Sequence, residues 1–475
     1  MSVPDLLRSA GRHSAGAVTD HSRSMTWPEF ADDVERLAAG LTRCLPVGCR
    51  TIGIWGENRV DYLRVVFAGL WAGIDVAPLN TRLTNSELRS VIERAEVDAL
   101  IVVGDPSATP DLSIPRVEFD QIPVADDPVD ASSHSPSVII CSSGSGGTVK
   151  AVELRVTSMI DHAQAVVQHL SVRETDRWLA CLPLFHVGGL TIAFRCALAG
   201  ASISILNRPD PSRICRCIDE EGVSLISLVP TSLARLLDDR EPREFPDSLR
   251  AIIVGGGPVP ESLLDRCPIA YPTYGLTEAG SMLTCARPGC DEIERRSAGK
   301  ALPSTRIRVM NESEEECSTG QAGWITAKAP GIARGYRGDE KETARAISEG
   351  WLKTDDFGYL DDHGMLHVVA RRSDLILSGG ENVYPAEIEK VLSRHPDVAE
   401  AVVVPIPDTE WGQVAGAAIV LRPDRSADVD PLREYLAGQL ASYKIPKRFL
   451  LCNSLPTTAS GKPDRAAIRK LFEPS

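Results

Sequence analysis

From about Thr26 to Val103 the chain alternates between two hydrophobic periods. Trp27–Leu41, Arg59–Trp71 and Thr84–Arg94 carry apolar residues at helical spacing, whereas Thr51–Trp55 and Ala99–Val103 are short apolar runs of strand length. That alternation predicts a layered α/β sheet with crossover helices. Asp105–Pro136 is rich in Pro, Asp and Ser without periodicity and predicts a surface excursion. Val138–Cys141 predicts a short strand running into a Ser/Gly loop, a second α/β block follows to about Val254, and Ile325–Asp374 predicts a strand-rich segment. From Pro385 the order helix, strand (Ala401–Pro405), strand (Ala415–Leu421), helix (Pro431–Leu440) predicts a small α+β domain of about a hundred residues. No internal repeat or low-complexity segment interrupts this plan.

Composition narrows the function classes. A chain of 475 residues exceeds what one core usually supports and predicts two or three domains. A net charge of -14 argues against a partner bound through a broad basic face, so neither nucleic acid nor an anionic membrane is expected. Any polyanionic ligand must be held locally. The apolar runs Val65–Leu79 and Gly188–Leu206 are interrupted by Asp75 and Arg195, and neither reads as a membrane span. The opening MSVPDLLRSAGRHSAG lacks the charged start and unbroken apolar core of a signal peptide. The 12 cysteines are scattered without a C-x-x-C pair; Cys215 and Cys217 come closest, and strand alternation would put both on one face. Reduced structural thiols, and hence a cytoplasmic location, are expected. A homodimer is left open.

The first candidate site follows the predicted strand Val138–Cys141. In Ser142-Ser143-Gly144-Ser145-Gly146-Gly147-Thr148-Val149-Lys150 the glycines let backbone N–H groups turn inward, while hydroxyls and an ammonium add donors for phosphate oxygens. The spacing is not that of a Walker A loop, because Val149 stands where the Gly-Lys pair should begin. A flexible Gly/Ser surface turn is the other reading. Further on, Gly255-Gly256-Gly257-Pro258 follows the apolar run Ala251–Val254, either as a tight turn or as a place where a flat ring meets bare backbone.

Taken with Tyr274-Gly275-Leu276-Thr277-Glu278, Trp351–Gly358, Arg371–Glu389 (RRSDLILSGGENVYPAEIE) and Leu455–Lys462, these segments resemble the adenylate-forming superfamily of acyl- and aryl-CoA synthetases, luciferases and adenylation domains. The motifs come in the family's order and span Ser142 to Lys462. The pattern from Trp178 through Arg195 and from Gly350 through Glu389 is most similar to the o-succinylbenzoate–CoA ligases. The resemblance implies a large N-terminal layered α/β domain over 1–372 for ATP and acid, and a small mobile C-terminal α+β domain over 373–475 hinged at Ser373.

The same resemblance assigns roles residue by residue. Ser142, Ser143, Gly144, Ser145, Gly147 and Lys150 match the phosphate signature, with Gly146, Val149 and Ala151 departing from its second Thr, Pro and Gly. Gly255, Gly256, Gly257, Pro258, Tyr274 and Gly275 border the adenine, Thr277 meets the α-phosphate, and Glu278 meets Mg2+. A hard cation between carboxylate and phosphate oxygens offsets the charge that gathers on the α-phosphate. Asp356 and Arg371 reach the ribose hydroxyls; a carboxylate can accept from both alcohols of a vicinal diol. Asp355 stands where the family has Gly. Lys462 matches the lysine that stabilises charge during adenylation. A helix cap for Thr277-Glu278, a solvated pair for Arg371-Arg372 and a solvated tail for Lys462 are the alternatives.

His186, Val187, Gly188 and Gly189 resemble the loop bordering the acyl pocket, His186 positioning the carboxylate, and Ser227, Val229 and Leu276 join them. Arg195 stands where some relatives meet a second carboxylate on the substrate; pairing with an acidic neighbour is the other reading, since a buried Arg must be paired either way. Arg82, Ser378, Gly379, Gly380 and Trp411 match CoA-site positions, although Trp411 could be a core aromatic and Arg82 a surface charge. The implied reaction takes a small, aromatic carboxylic acid with ATP to an acyl-AMP and passes the acyl group to CoA, releasing AMP and pyrophosphate. The altered phosphate loop favours a specialised relative in secondary metabolism. An adenylating ligase that uses a carrier protein, amine or alcohol, and a nucleotide-binding protein without activity, are the competing readings.

Overall fold

The computed structural model describes residues 1–12, 16–105, 112–125, 135–143, 149–207, 210–257, 259, 261–371, 376–383, 385–422, 425, 428–456 and 465–473. Contacts divide the chain into two compact units: Met1–Thr81, Ile92–Cys141 and Ala151–Ala370 form the larger, and Arg82–Val91, Ser142–Lys150 and Arg371–Ser475 form the smaller.

Local chemistry starts the helices where periodicity predicts them. The helix Trp27–Cys44 opens on a capping box in which Thr26 accepts from the Glu29 amide and Glu29 reaches back, with Pro28 in the first turn. Its buried positions, among them Trp27, Phe30, Val34, Leu37 and Leu41, make one face. The rings of Trp27, Phe30, Phe67 and Phe194 then follow one another at centroid separations of 5.7, 5.8 and 5.0 Å. Each such ring contributes roughly 1.5–3 kcal/mol by burial. This aromatic file ties Trp27–Cys44 to the helices Val60–Trp71 and Val187–Ala199, so the helix that carries Arg195 is anchored in the main core.

Among the described residues one nine-stranded sheet runs from Lys300–Ala301 through Ser281–Cys285, Ala270–Leu276, Ala251–Val254, Leu225–Leu228, Arg177–Ala180, Ser202–Ile205 and Ala17–Thr19 to Ser24–Thr26. Its central strands are parallel. Such strands are buried on both faces, which is why Leu225–Leu228 and Ala251–Val254 read as unbroken apolar runs. A seven-stranded sheet holds Thr51–Gly56, Asp75–Pro78, Ala99–Val103, Ser137–Ser143 and Val149–Arg155. A five-stranded sheet includes Trp351–Leu360 and Leu366–Arg371.

In the smaller unit Val398–Asp408 and Gly412–Leu421 form a long antiparallel pair, flanked by Ile376–Ser378 and by Arg448–Cys452 in parallel. Helices Pro385–Leu392 and Val429–Ala437 bury Ile388, Leu392, Leu432 and Leu436 against Val403, Ala417 and Ile419. The large layered α/β part and the small α+β part are thus both present.

Two expectations are corrected. Cys215 and Cys217 lie on a helix, Pro211–Glu220, rather than a strand: Asp210 accepts from the Ser212 amide, Pro211 occupies the first turn, and Ile214, Cys215 and Ile218 share the buried face at helical spacing. The excursion Asp105–Pro136 also contains a strand, Arg116–Glu118, which pairs in parallel with Leu100–Val102 and is the edge strand of the seven-stranded sheet. Among the described residues no helix is long and apolar enough to cross a membrane.

Candidate active site

Parallel strands place their following residues on one edge, and ligand crevices form outside the carboxyl ends of such strands. Leu225–Leu228, Ala251–Val254 and Ala270–Leu276 are neighbours in parallel, so Ser227 and Val229, Gly255 to Gly257, and Tyr274 to Leu276 arrive at that edge together. Gly256 takes a φ of +81°, and a Cβ there would lie 3.4 Å from Val229. Gly275 sits at a register shift in the pairing of Ala270–Leu276 with Ser281–Cys285; a Cβ on it would lie 1.6 Å from the Ser281 carbonyl oxygen. The Tyr-Gly pair is therefore fixed by close backbone approach.

Thr277 and Glu278 occupy a 3-10 turn, Thr277–Ala279, that follows directly. The Glu278 carboxylate accepts a hydrogen bond from the Tyr336 hydroxyl at 2.9 Å through Oε1, and its carbonyl accepts from the Ala333 amide at 2.8 Å. Burial, with Glu278 adding to it, raises the Tyr336 phenol well above its ordinary value, so it stays a donor. Asp356 lies in Trp351–Leu360 with 6% exposure, and its carboxylate accepts from the Tyr274 hydroxyl at 2.7 Å. Tyr274 and Asp356, from two separate motifs, are thus in direct contact. Asp355, standing where the family has Gly, adopts a φ of 59°, the left-handed region that Asp tolerates better than most side chains, and its carboxylate accepts from Arg345 at 3.3 Å.

His186 caps the helix Val187–Ala199, whose first turn holds Val187, Gly188 and Gly189. The preceding loop is pinned by Asn58, which donates to the carbonyls of Leu182 at 2.9 Å and Leu206 at 3.2 Å while accepting from the Leu184 amide at 2.9 Å. Asn58 is a residue the motifs did not single out, because its partners lie more than a hundred positions away in the chain. The His186 ring packs against Phe185 at 4.7 Å.

Arg195 lies two helical turns beyond, fully buried. Nη2 donates to Ser281 Oγ at 3.1 Å and the guanidinium carbon is 5.5 Å from the Trp178 ring centroid. Trp178 in turn donates to Ser227 at 3.2 Å. The acidic partner that one sequence reading gave Arg195 is not found among the described residues, and its Nε and Nη1 have no hydrogen-bond partner there. Burial pushes its pKa down to about 10, which leaves it a cation at neutral pH. His162, 1% exposed, accepts no charge: burial, then Arg195, push its pKa down to about 3.

Ser142 and Ser143 end the strand Ser137–Ser143, and Lys150 is the second residue of its neighbour Val149–Arg155. Gly144, Ser145, Gly147, Pro258, Ser373 and Lys462 lie outside the described residues, as does the side chain of Arg371, which ends Leu366–Arg371.

Within the smaller unit Ser378, Gly379 and Gly380 form the turn between Ile376–Ser378 and Glu381–Val383. Gly379 has a φ of 58°, donates its amide to the Trp411 carbonyl at 3.0 Å, and would place a Cβ 2.5 Å from the indole. Lys447 sits 5.3 Å over that indole, and Arg82 donates to Glu381 at 2.5 Å. The five positions singled out by sequence are thereby brought together.

Among the described residues no cluster of three or more His, Cys, Asp or Glu gathers around a point. A single half-exposed carboxylate such as Glu278, completed by nucleotide phosphates, fits the way Mg2+ is usually held beside ATP.

Residues 7–337 match the model of the AMP-binding enzyme family and residues 387–462 that of the AMP-binding enzyme C-terminal domain. The 2-succinylbenzoate–CoA ligase of Bacillus licheniformis is 36% identical over 460 residues, covering 94% of this chain and 95% of that one. A Bacillus subtilis o-succinylbenzoate CoA synthetase double mutant, solved with the product analogue OSB-NCoA, superposes with a TM-score of 0.91 at 31% identity over 98% of both chains. An amide bond synthetase from Marinactinospora thermotolerans superposes with a TM-score of 0.90 at 26% identity, over 99% of this chain and 100% of that one. With its edge of glycines, its Tyr274–Asp356 contact and its half-exposed Glu278 in this framework, the chain belongs to the AMP-binding, adenylate-forming enzyme family.

Proposed function

We propose that the protein activates an aromatic carboxylic acid that bears a second anionic group, converting it with ATP to an acyl-AMP and then transferring the acyl group to the CoA thiol. The observation that carries the substrate class is Arg195, a buried cation that no carboxylate among the described residues neutralises. A buried unpaired charge is costly, and a ligand that supplies the missing anion recovers that cost as binding energy. The 2-succinylbenzoate–CoA ligases similar to this chain support the same class.

In this reading the ATP phosphates meet Ser142, Ser143, Gly144, Ser145, Gly147 and Lys150, with Thr277 at the α-phosphate. Adenine lies against Gly255–Gly257, Pro258 and Tyr274, and Asp356 and Arg371 hold the ribose. Glu278 would hold Mg2+, which when bound would supply positive charge to offset that of the phosphates. His186 orients the acid's carboxylate, whose oxygen attacks the α-phosphorus as pyrophosphate departs. Lys462 stabilises the charge that builds on the reacting oxygens. The thiolate of CoA then attacks the acyl carbon and AMP leaves; Arg82, Ser378, Gly379, Gly380 and Trp411 form the CoA side. The domain boundary at 372/373, with Ser373 as hinge, belongs to this proposal. So does a cytoplasmic location, for which the ground is the scattered spacing of the 12 cysteines in the sequence.

The test is a panel of acids assayed for CoA thioester by mass spectrometry: benzoate, phthalate, 2-succinylbenzoate and straight-chain mono- and dicarboxylates. Thioester from the dianionic aromatic acids is expected, and a preference for benzoate or for aliphatic acids would refute the substrate class. The likeness to an amide bond synthetase favours a second reading in which an amine is the acceptor. Replacing CoA by a set of primary amines in the same assay decides it.

A further inference from the structure

The carboxylate assigned above to Mg2+ does not stand alone. The strand Gly335–Tyr336 pairs with Val152–Glu153, and the helix Glu340–Ala346 holds it in place: the Tyr336 amide donates to Thr343 Oγ1 at 2.8 Å. Gly335 packs so closely on that helix that a Cβ there would lie 2.4 Å from the Thr343 methyl. From this fixed backbone the nearly buried Tyr336 ring, 7% exposed, extends its hydroxyl to Glu278 Oε1 at 2.9 Å. The same segment grips the Glu278 main chain through the Ala333 amide at 2.8 Å.

The helix that sets Tyr336 also reaches the ribose end of the site. Its Arg345 bonds both carboxylate oxygens of Glu342 at 2.7 Å and extends to Asp355 at 3.3 Å, beside Asp356. We propose that Tyr336 is a positioning residue that holds one oxygen of Glu278 so that the other faces the metal, and that Glu340–Ala346 sets this carboxylate and the Asp355-Asp356 turn from one rigid element. A carboxylate already held in its binding rotamer gives up less freedom when an ion arrives, and partners of this kind commonly change metal affinity by about 10–100-fold. The inference rests on reading Glu278 as the Mg2+ ligand.

The test measures two quantities in wild type, Tyr336→Phe, Thr343→Val and Glu278→Gln, all as full-length protein. One is the Mg2+ concentration for half-maximal activity at saturating ATP. The other is binding of Mn2+ in the presence of α,β-methylene ATP, followed by electron paramagnetic resonance. Tyr336→Phe should raise both constants by about 10-fold while kcat at saturating Mg2+ changes by less than about threefold, the split expected of lost orientation. Thr343→Val should move them the same way by less. If Glu278→Gln leaves Mn2+ binding unchanged, the metal reading itself fails. If Glu278→Gln weakens it and Tyr336→Phe does not, the positioning role is overturned. Should Tyr336→Phe fail to fold, an unshifted Thr343→Val overturns it equally.

Discussion

The hydroxyl of Tyr274 donates to the buried carboxylate of Asp356 at 2.7 Å, joining two motifs that stand 82 positions apart in the chain. The contact bears on stability and, in the proposed reading of Asp356 as a ribose contact, on nucleotide binding. Tyr274→Phe removes one donor from a carboxylate that is 6% exposed, and a buried acceptor left short of a donor costs about 1–3 kcal/mol. Urea unfolding should show a loss in that range, and the KM for ATP should rise because Asp356 is no longer held. An unchanged midpoint and KM would show that the two side chains act independently.

Asp355 carries a second prediction. At a φ of 59° it occupies backbone space that Gly enters freely and a β-branched residue resists. Asp355→Gly exchanges relief of that strain against loss of the half-exposed pair with Arg345, worth at most about 1 kcal/mol, so its melting temperature should stay close to wild type. Asp355→Val has neither compensation and should lose more than about 1 kcal/mol in thermal or urea unfolding. Equal stability of the two variants would contradict the geometry.

Arg195 separates stability from activity. Replacing a buried cation that has no carboxylate partner among the described residues by Met should leave stability unchanged or raise it by about 1–4 kcal/mol. Activity on a dianionic aromatic acid should fall by about 100-fold in kcat/KM, as for loss of a charge pair worth about 3 kcal/mol, with little change on benzoate. A variant that loses both substrates equally would assign Arg195 to the fold alone.

His162 predicts a pH dependence. Burial, then the neighbouring Arg195, hold its pKa near about 3 in the folded chain, against an unfolded value of about 6.5. Between those values the unfolded state binds more protons, so this contribution is complete above about pH 6.5 and is lost as the pH falls toward 3 at about 1.4 kcal/mol per unit. Comparing His162→Gln with wild type by urea unfolding at pH 7.5, 5.5 and 4.5 isolates it: the variant should gain relative to wild type as the pH falls. A constant difference would mean that the imidazole is protonated inside the fold.

Much of this was legible in the chain. Trp27–Cys44, Val60–Trp71 and Asn85–Ala95 match the periodic segments because a single buried face dictates helix there. The turns after Val254 and at Tyr274 were legible because glycines are required where backbones touch. Cys215 and Cys217 misled because two positions spaced by two look like strand alternation, whereas the cap at Asp210 and the buried Ile214 and Ile218 give the helical period. Tyr336 and Asn58 escaped notice because each acts on a residue distant in sequence from a short or irregular segment, and a lone side chain has no spacing to announce it. Whether Arg195 met an acid inside the protein was equally beyond a linear reading, since only the fold decides which side chains surround it.

The most direct test of the central claim is acid-dependent exchange of labelled pyrophosphate into ATP, measured for the wild type and for Lys462→Ala. Exchange that requires an aromatic acid and falls by about 100–1,000-fold in the variant is the predicted result, the loss matching removal of one donor to the transition state. Wild-type protein that shows no exchange with any such acid, or a variant that exchanges as fast as wild type, would contradict adenylation by this site.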